Sequence, residues 1–257
     1  MFTERSLPAA VAAVRDDHAP DAVVLDCASD FETLPPAQAE ELSLLTDRLE
    51  PASHPDAWLP EDAPDQLVQY AGGAFTIGMP GDGSVVWTRQ TTPPVVLCKS
   101  RLEGSPDAFA SFLVAEALVE VGLGVPEQFL PFFGEQYPAF ATATANHLDP
   151  PGTYQLAVAC YDAFVGRHTR SVFAGWDGPL FDAWLDAGER LEPRLEGLSG
   201  AVARGEMSFP EAAELACSAL KHGGELPAPF DALDTAAYRD HGAPYAVEWA
   251  QRVLAEL

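Results

Sequence analysis

Hydrophobic positions recur at helical spacing along most of this chain and alternate over one short stretch. Leu42, Leu45 and Leu49 stand at i, i+3 and i+7, which predicts a helix over 37–49 that stops before Pro51. A shorter helix is predicted over 6–17. Residues 22–27 (AVVLDC) are apolar and β-branched; they read as a strand, or as helix if the pattern extends through Phe31 and Leu34. Residues 51–64 (PASHPDAWLPEDAP) form a proline-rich loop in which Trp58 and Leu59 serve as anchors. The period then changes. AFTIGM, PGDGS and VVWTR read as a hairpin turning at Asp82-Gly83, and VVLCK adds a third strand. A three-stranded antiparallel β-meander is therefore expected near residues 74–99, with Val85 and Trp87 on one face and Val86 on the other.

From residue 105 onward the pattern is helical. Ser105-Pro106 is an N-cap followed by proline at the first helical position, opening a helix over 106–122. That helix is apolar nearly all round, the mark of a buried helix. One or two helices follow in 127–147, interrupted near Gly134 and Pro138, then one over 154–173 and a long one over 178–204. Ser208-Phe-Pro-Glu211 is a capping-box signature; its helix ends at His222-Gly223-Gly224, and a last helix covers 243–257. The expected fold is a single α+β domain over 1–257, mostly helical. It has an N-terminal helical and proline-rich part at 1–70, the meander at 74–99 and a helical part at 105–257.

Composition adds charge to this picture. Apolar residues make up 47% of 257 positions, enough for a full core, while 14 bases face 39 acids for a net charge of −25. The acids are spread: 15 lie in 1–70, 8 in 71–150 and 16 in 151–257, with no long like-charged block. Lys99 and Lys221 are the only lysines, Ile77 the only isoleucine and Asn146 the only asparagine. Lys, Ile and Asn share AT-rich codons, so their scarcity points to a GC-rich genome. With the acidic surface, this resembles a haloarchaeal cytosolic protein in a high-salt, K+-rich environment. At molar salt the Debye length is about 3 Å and self-repulsion is screened. No basic stripe exists to recruit nucleic acid, and an anionic membrane is disfavoured for the same reason, so neither partner is expected.

No stretch approaches 18 consecutive apolar residues, and the opening MFTERSLPAAVAAVRDDHAPDA reads as an amphipathic helix rather than a signal peptide. Cys27, Cys98, Cys160 and Cys217 lie far apart, without zinc spacing, and read as buried free thiols of a reduced cytoplasm. None of the six histidines has another at i+3 or i+4, and His147 with Asp149 reads as helix capping. Gly81-Asp82-Gly83 lacks the rest of a phosphate loop and reads as a turn. Asp182, Asp186, Glu189 and Glu196 lie opposite Trp184, Leu191, Leu195, Leu198 and Val202 on the 178–204 helix, a solvated acidic face. No cofactor motif or metal ligand set is present.

The candidate chemistry is Glu116 and Glu120. They sit at i and i+4 on the apolar 106–122 helix, on the side of Phe109, Leu113 and Leu123. The string AEALVEVG resembles the zincin metallopeptidase helix His-Glu-x-x-His-x-x-Gly with both histidines gone; only Glu116 and Gly122 match. Without the histidines no zinc site of that kind exists. The bland expectation is that both glutamates reach a solvated rim, with at least one exposed or paired to Arg89, Lys99 or Arg101.

Three segments, MFTERSLPAAVAAVRDDHAP, FTIGMPGDGSVVWTRQ and AEALVEVG with VPEQF, resemble an uncharacterised haloarchaeal protein family, a domain of unknown function. The resemblance implies origin and compartment, and no activity, cofactor or site. The sequence thus points to a non-catalytic interaction or scaffolding protein with an unknown protein partner. Two alternatives are a zincin-related fold that has lost its ligands and a small-molecule module built on the aromatic segment 129–161.

Overall fold

The computed structural model describes residues 1–72, 76–79 and 81–256. In chain order its elements are β1 (Phe2–Glu4), α1 (Ala9–His18), β2 (Val23–Cys27), α2 (Pro36–Ser43), β3 (Arg48–Leu49), α3 (Asp65–Ala71), β4 (Val85–Thr88), β5 (Thr91–Thr92), β6 (Val95–Cys98) and α4 (Asp107–Leu123). Then follow α5 (Phe129–Phe133), α6 (Tyr137–Thr144), α7 (Pro150–Phe173), α8 (Gly178–Leu195), α9 (Leu198–Ala203), α10 (Phe209–Leu220), α11 (Ala236–His241) and α12 (Ala243–Leu254). The chain is mixed α+β and mostly helical. It divides into two interleaved compact units: Met1–His54, Gln69–Glu127 and Gly175–Ala183 form one; Pro55–Val68, Gln128–Ala174 and Trp184–Leu257 form the other.

The first unit holds a four-stranded mixed sheet in the order β1-β2-β6-β4. β1 and β4 run antiparallel to their neighbours, while β2 and β6 are parallel, with Val24 opposite Val96 and Asp26 opposite Cys98. This corrects the three-stranded antiparallel meander. β4 and β6 do pair antiparallel, but the other neighbour of β6 is the remote β2. Residues 74–75, the first two of the six in the expected first strand, and Pro80 of its turn lie outside the described residues. Residues 76–79 are irregular, and the reason is local. Gly78 and Gly81 take positive φ, and the Asp82 carboxylate accepts from Met79 N at 2.6 Å, closing a turn before any hairpin forms at 82–83. β2, apolar on both faces, supplies the neighbour a buried central strand needs.

The period-2 reading of β4 holds. Val85 and Trp87 share a face with Cys98 and Val96, and Val86 lies on the other with Leu97. The Leu97 face is packed by Phe2, Leu25, Phe31, Leu34, Ala39, Leu42, Ile77 and Val95. On the Trp87 side α4 packs on β4 and β6 and against α1. Gly122 is required there: a Cβ at this position would strike the His18 carbonyl oxygen. The helix predicted over 37–49 ends at Ser43, because β3 pairs with β5 instead and Asp47 N donates to Thr92 O at 2.8 Å. Leu42 is fully buried while Leu45 is 49% exposed, so the leucine stripe never forms one buried face.

In the second unit α7 packs along α10. Asp149 caps α7 by accepting from Gly152 N at 2.9 Å, and the Ser208–Glu211 capping box opens α10 as its signature predicts. The predicted helix over 178–204 is two helices, α8 and α9, separated at Gly197 with φ of 72°. Of the expected apolar face Trp184, Leu195 and Leu198 are buried and Leu191 and Val202 half-buried, while Asp182, Asp186, Glu189 and Glu196 are exposed. Trp58 lies half-buried against Gly134, the anchoring role expected of it. No helix among the described residues is long and apolar enough to cross a membrane.

Candidate functional site

β2 and β6 run in the same direction and end side by side at Cys27 and Cys98. The chain leaves β6 through Lys99 and a short 3-10 turn (Ser100–Leu102) before entering α4. A cleft of about 140 Å³ opens at these carboxyl ends, lined among others by Arg5, Asp26, Cys27, Cys98, Lys99, Ser100, Ser105 and Asp107. Parallel strands commonly present ligands at this end. Arg5 and Asp26 form an ion pair at its edge. Burial pushes the Cys27 and Cys98 thiols up to about 12, so both stay protonated at neutral pH.

Lys99 is the unusual member of the lining. It is 1% exposed, and among the described residues its Nζ has no hydrogen-bond partner. The ammonium lies 4.9 Å from the centroid of the Phe31 ring. Burial pulls its pKa below the ordinary lysine value, and the charge of Asp82 pulls it partly back. Asp82 is pushed up to about 6 by burial, against the opposing effects of the Met79 N–H and of Lys99. Arg101 closes the neighbouring loop, with Nε on Asp30 at 2.9 Å, Nη2 on Glu32 at 3.3 Å and a bond to Phe31 O.

The two sequence candidates lie away from the cleft lining. Glu120 is half-buried and accepts a 2.6 Å hydrogen bond from the Trp87 indole Nε1, which ties α4 to β4. Glu116 is 7% exposed, so it does not reach the expected solvated rim. The surrounding helix face is apolar and presses on the sheet, which is why this carboxylate is drawn inside. Of the three bases named as partners, Arg101 bonds Asp30 and Glu32, Lys99 lies under Phe31, and Arg89 sits over the Trp87 ring while donating to Val125 O. Glu127 gathers Thr88 Oγ1 at 2.6 Å, Arg89 N at 2.9 Å and Gln90 Nε2 at 3.0 Å, and Gln90 Oε1 accepts from Ala52 N at 2.8 Å.

Among the described residues no group of three or more His, Cys, Asp or Glu side chains is placed to hold a metal. All four cysteines are free and buried. The aromatic segment 129–161 is largely core: Phe129 meets Tyr137 and Tyr154 edge-on at 5.3 and 5.2 Å, and Phe133 meets Phe140 at 4.7 Å. A family of unknown function, DUF7089, matches residues 1–257. The chain belongs to this family. No curated protein and no solved structure matches it. Membership of DUF7089 brings no assigned activity, so any function rests on the chain's own geometry. Sequence reasoning passed over Arg5, Asp26, Asp82, Lys99 and Glu127 as site residues. Only Lys99 carried a signal: it is one of two lysines, and it follows directly on an apolar strand.

Proposed function

We propose that this DUF7089 member is a non-catalytic interaction protein of a high-salt, reducing cytoplasm. The observation that carries the reading is the use made of α4: Glu120 holds the Trp87 indole and Glu116 is buried, so the pair nearest to a chemical motif serves the packing of helix on sheet. The protonated thiols and the captured Glu127 carboxylate support the same reading. Buried free cysteines agree with a reducing compartment. The net charge of −25 agrees with a haloarchaeal origin and argues against nucleic acid and anionic membrane as partners.

An apolar feature supports protein interaction. Leu44 and Leu45 are 84% and 49% exposed at the end of α2, within a strongly acidic N-terminal third. The test is affinity capture in molar KCl with the wild type and with Leu44→Glu/Leu45→Glu. A protein bound stoichiometrically by the wild type and lost from the variant is the expected result. Identical capture by both, or none by either, contradicts an interaction role for these leucines.

A second reading, a small-molecule module, is favoured by the cleft and places the ligand there rather than in the aromatic segment.

A further inference from the structure

We propose that Arg167 and Arg170 form a binding site on α7 for a small phosphate anion, free or esterified. The site lies within the second unit and is independent of the cleft and of any protein partner.

The two arginines stand a turn apart on α7 and meet a single carboxylate. Arg167 Nη1 donates to Asp234 Oδ1 at 2.5 Å. Arg170 Nη1 donates to Asp234 Oδ2 at 2.9 Å and lies 2.8 Å from Oδ1. Among the described residues neither guanidinium has another hydrogen-bond partner. Two positive charges thus share one negative charge, and one positive charge is left over. In every other arginine ion pair among the described residues the base has a carboxylate of its own. The chain carries 39 acids against 14 bases, so a second acid beside this pair would be the ordinary arrangement.

The surplus charge is held in place. The Arg167 side chain is 11% exposed, and its Nε is buried with no acceptor among the described residues. A buried charged donor without an acceptor is costly, so compensation has to come from the open side of the cluster. That side exists, because Arg170 and Asp234 are 29% and 24% exposed. Nor is the triad needed to clamp the chain onto α7. The Tyr238 hydroxyl already donates to Cys160 O, the Tyr245 hydroxyl donates to Ala232 O at 3.1 Å, and Phe230, Leu233 and Tyr238 are fully buried. The carboxyl end of α7 attracts a base in its last turn, which accounts for Arg170 and not for Arg167 a turn earlier.

The donors select the ligand class. Those left unused belong to two guanidinium forks whose residues are about 4.5 Å apart along the helix axis. A planar carboxylate fills one fork, as Asp234 shows in part. A tetrahedral phosphate has acceptor oxygens pointing several ways and addresses both forks through charge-assisted hydrogen bonds. At molar salt the Debye length is about 3 Å, so the net −25 of the chain does not keep an anion from a contact site.

The test is equilibrium dialysis of the full chain against radiolabelled inorganic phosphate. Potassium concentration and ionic strength are held constant with KCl, and each variant is checked for native fold by circular dichroism. The wild type is expected to bind one phosphate per chain. Arg170→Gln keeps the Arg167–Asp234 pair and removes the surplus charge, so its affinity should fall about tenfold. Asp234→Asn removes the carboxylate that competes for the same donors, so its affinity should rise about tenfold, a gain that a purely structural triad would not give. Displacement of the label by glycerol phosphate supports the site with an esterified ligand; displacement by free phosphate alone supports it with the free ion. No bound phosphate in the wild type, unchanged affinity in folded Arg170→Gln, or no gain in folded Asp234→Asn overturns the proposal. None of these outcomes bears on the cleft or on partner capture.

Discussion

Trp87 and Glu120 show how one side-chain pair joins a strand face to a helix. The indole sits on the face that meets α4, and its N–H must find an acceptor once buried; Glu120 is that acceptor. Trp87→Phe keeps most of the apolar volume but removes this donor from the half-buried carboxylate. It should destabilise the fold by about 1–3 kcal/mol, read by chemical denaturation at fixed KCl. Glu120→Gln keeps an acceptor oxygen and should cost under about 1 kcal/mol. Asp82 gives a signature in pH. Its folded pKa is raised to about 6, so between its ordinary value and that point the native state holds more proton than the unfolded chain. Stability from this group is therefore greatest at the acid end and falls as pH rises from about 4 to about 6. The stability difference between Asp82→Asn and wild type should move in favour of the variant across that window. A constant difference would refute the assignment.

At the scale of elements, legibility followed sequence distance. The Ser208 capping box and the Asp149 cap are decided within four residues, and both stand in the structure. The alternation of Val85, Val86 and Trp87 is equally local. The sheet order is not: β2 and β6 pair in parallel across some seventy residues, and no turn signal marks such a crossover. The leucines at 42, 45 and 49 misled because pairing of β3 with β5 outweighed a short, weakly capped helix. The cleft was illegible for the same reason, since Asp26 and Lys99 are brought together only by that parallel pair. Glu116 was misplaced because periodicity ranks faces by hydrophobicity and cannot say that an all-apolar helix has no exposed rim to offer at that position. Close approach at Gly122 yields a direct check. Gly122→Ala places a Cβ against the His18 carbonyl, an obstacle made of backbone, and should cost about 3 kcal/mol in denaturant titration. A neutral outcome would mean that α1 and α4 do not approach as described.

Over the whole molecule the governing quantity is charge. A net −25 distributed over every third of the chain opposes compaction in dilute buffer and is screened at molar salt. The unfolding midpoint should therefore rise steeply from low to multimolar KCl, and a flat dependence would remove the halophilic reading. The non-catalytic account itself stands or falls on the glutamates of α4. The most direct measurement is the metal content of the purified wild-type protein and of Glu116→Gln/Glu120→Gln, each checked for native fold by circular dichroism in molar KCl. The account predicts a folded double variant and no stoichiometric metal in either protein. Zinc or manganese bound one-to-one in the wild type and lost in the folded double variant would contradict it.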